Sequence, residues 1–518
     1  MGTDAAGSEG AHAVHRYSSN AATLLLGSVA WAGDRPAVSA GDLTATYDGL
    51  AARATQIARA LQNEGVRDGD RVGVLLRRGV DSAATFFGVL ASGAVNVTIS
   101  ESLRPRQIEY ILRHAGAKVL IAGRDVLDRL PRPLEVETPV LDVAETVDDG
   151  HAALVPAAPK TAWDLAQIVY TSGSTGMPKG VAVSHGNLWA GTDAVVEYLG
   201  LRKEDRLASL LPFSFDYGLN QLLCAVRTGA CLVVENTTLP QRIVRSLEAQ
   251  EVTVLPAVPP LWLQLLHVRA FTSRRLPALR VMTNTGGHLP TSAVRTLRAS
   301  QPQADLFLMY GLTEAFRSTY LPPVKVDHKA DSIGQAIPGA QVLVVDEYGR
   351  RCGPGEVGEL VHRGPTVALG YWNDREATAA RFRPNPLPSD GIPDAERVVY
   401  SGDLVRADAD GDLYFVGRRD QMIKTMGHRV SPDEVSEVLH ASGEVAEAVV
   451  TSEPDESRGA RIVAYVVLRA GGDVERLEQF AATELPRHMQ PSRIEVRESL
   501  ARTASGKHDA SATVASRS

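Results

Sequence analysis

The stretch of sequence that decides the fold is Tyr170-Thr171-Ser172-Gly173-Ser174-Thr175-Gly176-Met177-Pro178-Lys179-Gly180-Val181. Its glycines let the backbone approach a ligand closely, and its serine and threonine hydroxyls together with the Lys179 ammonium suit a polyphosphate. The spacing differs from that of a Walker loop, because Lys179 is followed by Gly180 rather than by serine or threonine. The alternative is a flexible surface loop. We favour the phosphate site, because a strongly apolar strand precedes the stretch and an ordered Pro-Lys-Gly sequence ends it.

Short apolar runs alternate with helical patterns on both sides of this stretch, from about residue 43 to residue 310. The predicted strands are 71–76, 118–122, 165–172, 230–234, 279–283 and 304–310, and the predicted helices are 80–92, 184–199, 239–249 and 290–300. This alternation predicts an α/β fold with doubly wound parallel sheets and helices on both faces. From residue 340 to residue 416, apolar segments alternate instead with turns rich in glycine and proline, which predicts a more antiparallel, β-rich subdomain.

A third pattern begins after residue 424. Ser431, Pro432 and Glu434 predict a helix start, with a serine cap, a proline at the first helical position and a glutamate that reaches back to the cap. Strands at about 445–451, 461–468 and 493–497 and a helix at 474–485 follow. We therefore expect a large domain over residues 19–419 and a small α/β domain over residues 420–518.

Composition and charge exclude several classes of protein. The 518 residues are 44% hydrophobic and 22% charged, with a formal net charge of -7, which is ordinary for a globular protein and disfavours nucleic-acid and membrane partners. The sequence shows neither an apolar run of membrane-spanning length nor a secretory signal pattern. Cys224, Cys231 and Cys352 match neither a disulfide framework nor a zinc site, so we expect small buried side chains in a cytoplasmic protein. Residues 1–18 and the tail after about Ala510 are expected to be loose chain ends.

Six further motifs follow the phosphate stretch. They are Tyr310-Gly311-Leu312-Thr313-Glu314, Gly358-Glu359-Leu360, Gly370-Tyr371-Trp372, Tyr400-Ser401-Gly402-Asp403, Gly417-Arg418-Arg419-Asp420 and Ser505-Gly506-Lys507. In this order they resemble the superfamily of adenylate-forming ligases, which comprises acyl-CoA synthetases, carrier-protein adenylation domains and luciferases. The resemblance covers about residues 20 to 510. It implies a large domain with a small mobile lid, and a reaction in which a carboxylate attacks the α-phosphate of ATP, with Mg²⁺ present, and pyrophosphate leaves.

The resemblance also implies which residues carry the chemistry. The catalytic residues would be Lys507, Thr313 and Glu314. The residues that bind ATP or AMP would be Thr171, Ser172, Gly173, Ser174, Thr175, Gly176, Lys179, Gly286, Gly287, Tyr310, Gly311, Asp403 and Arg418. Glu314 would hold the magnesium ion, because carboxylate oxygens suit that hard cation. Tyr310 would offer a ring face to adenine. Asp403, placed after a strand, would accept both ribose hydroxyls with Arg418 near the same sugar; a plain strand-end carboxylate and a solvated salt bridge are the alternatives.

Lys507 would bridge the substrate carboxylate and the α-phosphate during adenylation. Asp420 would be the hinge about which the lid swings between adenylation and thioester formation, so that one cleft serves both half-reactions. Two positions near Lys507 depart from the family's pattern, since Ala501 replaces a common proline and His508 replaces an apolar residue.

Three further residues bear on the choice of acid. Asp216 follows an aromatic, apolar segment over residues 211–215, and in amino-acid-activating members of the family a Phe-Asp pair here holds the substrate ammonium. A buried carboxylate without a cation is costly, although Asp216 would alternatively cap a helix over 217–228. Arg317 would bind a second substrate carboxylate through a two-pronged contact, with a structural salt bridge as its alternative. Thr285 would line the same pocket.

The sequences FDYGLNQ (215–221) and GLTEAFRSTYLPP (311–323) look most like those of stand-alone enzymes that load β-amino acids onto polyketide carrier proteins, and they also resemble a group of bacterial acyl-CoA ligases. The leading hypothesis is adenylation of an amino acid, namely a β-amino acid or a 3-amino dicarboxylic acid such as an aspartate derivative. Transfer to the phosphopantetheine thiol of a separate acyl carrier protein in natural-product biosynthesis would follow. Transfer to free coenzyme A is the alternative. The presence of Lys179, Glu314, Asp403 and Lys507 disfavours a noncatalytic adenylate-binding protein, and a luciferase-like oxygenase is more remote.

Overall fold

The computed structural model describes residues 19–147, 158–171, 178–387, 396–419, 421–425, 428–455, 459–503 and 506–516. Ser172, Gly173, Ser174, Thr175 and Gly176 of the phosphate stretch lie outside the described residues, as do the expected hinge Asp420 and the N-terminal segment 1–18. In the described part of the chain, no helix combines the length and the apolar character needed to cross a membrane.

Strands and helices alternate up to the phosphate stretch, as predicted. In order they are α1 (Thr23–Ala32), β1 (Pro36–Ala40), β2 (Leu43–Thr46), α2 (Tyr47–Asn63), β3 (Arg71–Leu75), α3 (Val80–Ala91), β4 (Val95–Thr98), α4 (Pro105–Ala115), β5 (Ala117–Ala122), α5 (Arg124–Leu127), β6 (Val140–Asp142), a 3-10 helix (Val143–Thr146) and β7 (Leu165–Thr171). Helix α4 shows the local signals clearly: Pro105 occupies its first turn, and Gly116 ends it in the left-handed conformation.

The alternation continues from Lys179 to Tyr310. These elements are β8 (Lys179–Ser184), α6 (His185–Leu199), β9 (Arg206–Ser209), α7 (Asp216–Thr228), β10 (Cys231–Val234), α8 (Pro240–Ala249), β11 (Val254–Ala257), α9 (Pro259–Leu266), α10 (Arg269–Ser273), β12 (Val281–Asn284), α11 (Thr291–Ser300) and β13 (Asp305–Tyr310). The segment up to residue 419 then holds a 3-10 helix (Thr313–Ala315), β14 (Thr319–Leu321), α12 (Pro323–Val326), β15 (Ser332–Ala336), β16 (Gln341–Val345), β17 (Val357–Arg363), β18 (Gly370–Tyr371), α13 (Arg375–Arg381), β19 (Phe382–Pro384), β20 (Arg397–Ala407) and β21 (Leu413–Arg418).

Two large sheets organise this part of the chain. One has seven strands in the order β18-β8-β7-β4-β3-β5-β6, and its strands β3, β4, β5, β6 and β7 pair in parallel. The other has 14 strands in the order β16-β17-β20-β21-β15-β14-β13-β12-β11-β9-β10-β1-β2, with β19 paired to β20. From β1 to β13 this second sheet is parallel, and from β13 onward it is antiparallel.

The predicted β-rich subdomain is therefore antiparallel, but it does not form a sheet of its own. Strand β14 pairs with β13 on one side and with β15 on the other, so hydrogen bonds continue from the parallel half into the antiparallel half. The composition of residues 340–416 could not reveal this continuity, because it depends on the short strands β14 and β15. Ligands of open α/β sheets bind beyond the carboxyl ends of parallel strands, and the loops after β9, β12 and β13 lie there.

The C-terminal part contains β22 (Ile423–Thr425), β23 (His428–Val430), α14 (Pro432–Ala441), β24 (Val445–Asp455), β25 (Gly459–Leu468), α15 (Val474–Glu484), β26 (Arg493–Val496) and α16 (Ala510–Ala515). The cap of α14 is half of what was predicted: the Ser431 hydroxyl accepts the Glu434 N–H, and the structure gives no return bond from the Glu434 carboxylate. The prediction of a loose tail after Ala510 is wrong. Helix α16 forms because Asp509 caps it and Thr513 is buried, with its hydroxyl accepting the Ala501 N–H.

Helix α7 is anchored at its C-terminal end by a tyrosine of α2. Tyr47 is fully buried, and its hydroxyl lies 2.8 Å from the Ala225 carbonyl oxygen and 2.7 Å from the Ala230 carbonyl oxygen. Ala225 lies in the last turn of α7, and Ala230 follows the helix just after its Gly229 cap. The Tyr47 hydroxyl therefore fixes the helix whose first residue is Asp216.

We expect Tyr47→Phe to lower the free energy of unfolding by about 1–3 kcal/mol, because the Ala230 carbonyl oxygen loses the buried hydroxyl that donates to it. The measurement is the shift of the urea unfolding midpoint of the full chain. Tyr348→Phe is the matched control, because Tyr348 is 74% exposed. Equal midpoints for the two variants would contradict the anchoring role.

Candidate active site

The nucleotide end of the site is built where the two halves of the 14-stranded sheet meet. Tyr310 ends β13, and its hydroxyl donates to the Asp403 carboxylate in β20. Asp403 lies opposite Arg418 of β21, whose Nε is 3.6 Å from Asp403 Oδ1. Three residues that the sequence placed in the nucleotide set are thus in contact. Burial, followed by the charge of Asp403, raises the pKa of Tyr310 well above its usual value, so its hydroxyl remains a donor.

Asp403 does not follow a strand, as the sequence had indicated, but lies within β20. Gly402 makes this arrangement possible, since its φ of 69° is a conformation that favours glycine. A Cβ at Gly402 would also lie 2.7 Å from the Arg381 Nη1 atom. The Asp403 N–H donates to the Ser401 hydroxyl at 3.0 Å, and the Gly402 N–H donates to Glu359 at 2.9 Å. The carboxylate is therefore presented from a fixed backbone.

Thr313 and Glu314 occupy the short 3-10 helix after β13, and the chain turns sharply behind them. Phe316 has a φ of 58°, an unusual value for a bulky residue. Its ring lies against Gly191, where a Cβ would come within 2.2 Å, and a Cβ at Gly311 would come within 2.6 Å of the Phe316 carbonyl oxygen. The two glycines give Phe316 its space, and the turn separates Glu314 from Arg317.

Glu314 and Lys179 meet at one tyrosine, Tyr371 of β18. The Tyr371 hydroxyl donates to Glu314 Oε1 at 2.5 Å, and the Lys179 ammonium lies 5.6 Å from the centre of the Tyr371 ring. Lys179 begins β8 and lies opposite Thr171, so these two residues flank the phosphate stretch. The sequence had marked Gly370-Tyr371-Trp372 as a motif, but it gave Tyr371 no role.

Asp216 is the first residue of α7, and it is 7% exposed. The interpretation of Asp216 as the cap of a helix over 217–228 is wrong by one residue, because Phe215 holds the cap position. Asp216 Oδ1 accepts the Tyr217 N–H at 2.7 Å. A carboxylate at this end of a helix is also stabilised by the helix dipole. No described basic group forms an ion pair with Asp216.

Arg317 is buried, with 3% exposure. Its guanidinium stacks over the Tyr217 ring, 4.4 Å from the ring centre, and lies 5.7 Å from the centre of the Phe316 ring. Among the described residues, no acid pairs with it, and Nε and Nη2 have no hydrogen-bond acceptor. The predicted alternative, a structural salt bridge, is therefore not found in the described part of the chain.

Lys507 reaches the loop after β12. A Cβ at Gly286 would lie 3.3 Å from Lys507 Cε, and the Lys507 ammonium is 5.8 Å from the centre of the Phe215 ring. Thr285, just before Gly286, is buried, whereas Gly287 is exposed. Burial lowers the pKa of Lys507; Asp216 opposes this effect most strongly. The departures at Ala501 and His508 do not prevent this placement, since a bridge between Arg502 and His508 and a Thr503 N–H bond to the Lys507 carbonyl at 2.8 Å hold the turn.

The chain matches two family models. The model described as AMP-binding enzyme covers residues 28–372, and the model described as AMP-binding enzyme C-terminal domain covers residues 434–507. Novobiocin biosynthesis protein H from Streptomyces niveus is 32% identical over 493 residues, which are 92% of this chain and 79% of that protein. Gramicidin S synthase 2 from Aneurinibacillus migulanus is 30% identical over 92% of this chain, but the chain spans only 11% of that longer protein.

Solved structures agree over nearly the full length. An anthranilate CoA ligase in complex with anthranoyl-AMP has a TM-score of 0.85 and 26% identity, with 96% of this chain and 97% of that chain covered. An o-succinylbenzoate coenzyme A synthetase from Bacillus subtilis, in complex with ATP and a magnesium ion, has a TM-score of 0.81 and 26% identity, with 94% and 98% covered. The chain therefore belongs to the AMP-binding enzyme family of adenylate-forming enzymes, which use ATP and Mg²⁺.

Proposed function

We propose that the chain adenylates a 3-amino dicarboxylic acid, such as an aspartate derivative, and transfers it to the phosphopantetheine thiol of a separate acyl carrier protein. The observation that carries the proposal is a pair of opposite charges that both contact one residue, Tyr217. The Asp216 carboxylate accepts the backbone N–H of Tyr217, and the Arg317 guanidinium stacks on the ring of the same tyrosine. A substrate that carries both an ammonium and a second carboxylate matches this pair.

The surroundings of Asp216 support a substrate that carries an ammonium group. A carboxylate that is 7% exposed and lacks an ion pair with any described basic residue has lost much of its hydration without a compensating cation. Its one hydrogen bond, from Tyr217, leaves the other carboxylate oxygen for a substrate donor. The bulk of Tyr217, which is buried and bonded to Thr283, shapes where the amine can lie, and this is the basis for choosing a β-amino group.

The surroundings of Arg317 support a substrate that carries a second carboxylate. Stacking on Tyr217 satisfies one face of the guanidinium but none of its N–H donors. Two buried donors, Nε and Nη2, lack acceptors among the described residues, and a planar fork of this kind matches a carboxylate with two hydrogen bonds. Substrate is the source of the missing anion.

The nucleotide half of the proposal rests on Glu314, Lys179 and Asp403. One oxygen of Glu314 is engaged by Tyr371, and the carboxylate pairs with no described basic residue, so the residues present fit a magnesium ion. When bound, Mg²⁺ supplies charge neutralisation at the phosphate oxygens. Lys179 adds a second positive charge on that side. Asp403, held by Tyr310, is placed to accept ribose hydroxyls.

Lys507 lies between the two halves of the site. Burial lowers the pKa of its ammonium, Asp216 and Asp403 raise it, and Arg418 and Arg317 lower it. The electrostatic influence of both Asp216 and Asp403 on this ammonium supports the proposed role of Lys507 in bridging the attacking carboxylate and the α-phosphate. The residues of the phosphate stretch from Ser172 to Gly176 keep their proposed role in holding the phosphates.

The arrangement of Lys507 depends on a contact between the C-terminal part and the loop after β12. Glu437 of α14 accepts the Thr291 N–H at the start of α11 at 3.0 Å, and its other oxygen is 2.6 Å from His288 Nε2. Residues 423–489 share an apolar core of their own. These observations support the proposed division into residues 19–419 and a lid over 420–518 with its hinge at Asp420. A cytoplasmic location stays a prediction.

The experiment that tests the proposal is ATP–pyrophosphate exchange with a panel of α-amino, β-amino, dicarboxylic, aryl and fatty acids. We expect the highest kcat/KM for 3-amino dicarboxylic acids. The adenylate is then offered to holo-carrier protein and to free coenzyme A in parallel. Preference for coenzyme A would replace the carrier-protein step, and preference for simple fatty or aryl acids would overturn the proposed substrate class.

Asp216→Asn should raise the apparent KM for the amino acid by the equivalent of about 2–5 kcal/mol, because it removes the anion of a desolvated pair. The KM for ATP should not change. Asparagine still accepts the Tyr217 N–H, so the helix start is preserved. Asp128→Asn, at an exposed site, is the matched control and should leave both constants unchanged.

Arg317→Leu should weaken dicarboxylic substrates by about 1.5–3 kcal/mol, the value of a charged hydrogen bond, and neutral amino acids should improve relative to them. The measurement is the ratio of kcat/KM values for matched substrates with and without the second carboxylate. Arg242→Leu, at an exposed arginine, is the control. A uniform loss for all substrates, with a lower melting temperature, would show that Arg317 is structural.

The contact between His288 and Glu437 should depend on pH. Burial alone would lower the pKa of His288. The hydrogen bond to Glu437 and the Glu437 charge outweigh burial, so the pKa of His288 is raised from 6.5. Burial alone would raise the pKa of Glu437, but the hydrogen bond to His288 and the His288 charge lower this pKa to about 2. Asp433, Asp331 and His440 also face this contact; burial lowers the pKa of His440 to about 4, so it is neutral near pH 7.

The raised pKa of His288 means that its contribution is present below its ordinary pKa and is lost as the pH rises through the raised value. The lowered pKa of Glu437 means that its contribution is lost only under strong acid. We expect protection of the Thr291 amide from hydrogen exchange to fall by about 2- to 5-fold from neutral to alkaline pH in the unaltered chain, and no such fall in His288→Gln. Identical profiles for the two proteins would contradict this.

A further inference from the structure

Tyr371 contacts two groups that belong to different parts of the fold. Its hydroxyl donates to Glu314 Oε1, 57 residues away in the chain, and its ring lies under the Lys179 ammonium at 5.6 Å. Among the described residues, Glu314 Oε2 has no hydrogen-bond partner. One side chain therefore meets both the expected metal carboxylate and the expected phosphate lysine.

The backbone fixes Tyr371 with respect to both groups. Strand β18 pairs with β8, with Tyr371 opposite Val181, and the Trp372 N–H donates to the Gly180 carbonyl oxygen at 2.7 Å. Just before β18, the Ala368 N–H donates to the Glu314 carbonyl oxygen at 2.8 Å. The segment 368–372 is thus hydrogen-bonded to the strand that begins at Lys179 and to Glu314 itself.

The ring is also held from the side. Phe382 packs edge-on against Tyr371, with ring centres 5.6 Å apart, and the Tyr371 N–H donates to the Thr378 hydroxyl at 2.9 Å. The Tyr371 hydroxyl has one proton to donate. One proton can form a strong hydrogen bond to only one carboxylate oxygen, and here that oxygen is Glu314 Oε1.

We propose that Tyr371 is a positioning residue for the metal and the phosphates: its hydroxyl orients the Glu314 carboxylate with Oε2 left for Mg²⁺, and its ring seats the Lys179 ammonium. This inference rests on the proposed roles of Glu314 and Lys179. Groups that donate a hydrogen bond to a metal-binding carboxylate fix its orientation, and their loss costs about 10- to 100-fold in metal affinity. A cation over an aromatic ring is held more weakly, so the two functions of Tyr371 can be separated by mutation.

The test uses the full chain and two binding measurements that do not depend on turnover. Mn²⁺ is titrated by electron paramagnetic resonance in the presence of α,β-methylene-ATP, and the affinity of the same analogue is measured by calorimetry in EDTA. The variants are Tyr371→Phe, which keeps the ring, Tyr371→Leu, which removes the ring and the hydroxyl, and Glu314→Gln. Tyr348→Phe is the control, because Tyr348 is exposed.

Tyr371→Phe should weaken Mn²⁺ binding by about 10-fold or more while the metal-free affinity for the analogue stays unchanged. Tyr371→Leu should show the same loss for Mn²⁺ and, in addition, an approximately 2- to 5-fold loss of metal-free affinity, because Lys179 loses its ring. A purely structural role would lower the melting temperature and both affinities together, in Tyr371→Phe as well as in Tyr371→Leu. That result would overturn the inference.

Glu314→Gln distinguishes a wrong role for Tyr371 from a wrong role for Glu314. If Glu314→Gln weakens Mn²⁺ binding and Tyr371→Phe does not, the inference about Tyr371 is wrong and the role of Glu314 stands. If Glu314→Gln leaves Mn²⁺ binding intact, Glu314 is not the metal ligand, and both proposals fall.

Discussion

The hydrogen bond from the Tyr310 hydroxyl to the Asp403 carboxylate is the contact on which the site depends. Tyr310 ends the last parallel strand of the large sheet, and Asp403 lies in the antiparallel half. The bond therefore connects the parallel and antiparallel halves of the sheet at the edge where the loops after the parallel strands lie. The chain continues from Tyr310 to Glu314 and Arg317, so this junction sets the positions of the proposed metal carboxylate and of the guanidinium proposed to bind substrate.

Much of the fold could be predicted because its signals are local. The strand over residues 165–172 and the helices near 80–92 and 290–300 appear within a residue or two of their predicted bounds, since apolar periodicity and capping residues act over short distances. Long-range pairing is different. The continuity of the sheet through β14 and β15 depends on strands of three and five residues, too short to give a periodic signal.

Site residues could be predicted where they belong to a recognisable sequence motif. Contacts between residues that are distant in sequence could not be predicted unless a motif already implied them. Asp403 and Arg418 were expected at one sugar, and they lie side by side because their strands pair. Tyr371 had a motif but no role, because its two partners are distant in sequence. The positive φ of Phe316 could not be predicted from the sequence, because a glycine usually marks such a turn and position 316 is a phenylalanine. The space for Phe316 comes from Gly191 and Gly311, which lie at other positions in the chain.

The charges around Lys507 bear on how the proposed substrates would affect docking of the C-terminal part. Burial lowers the pKa of Lys507, Asp216 and Asp403 raise it, and Arg418 and Arg317 lower it. A phosphate or carboxylate bound near Lys507 would add negative charge and would stabilise the charged form of its ammonium. A ligand that stabilises one arrangement shifts the population toward it by its differential affinity. The anions of the proposed reaction would therefore favour the arrangement in which Lys507 lies beside them, and their departure would remove that preference.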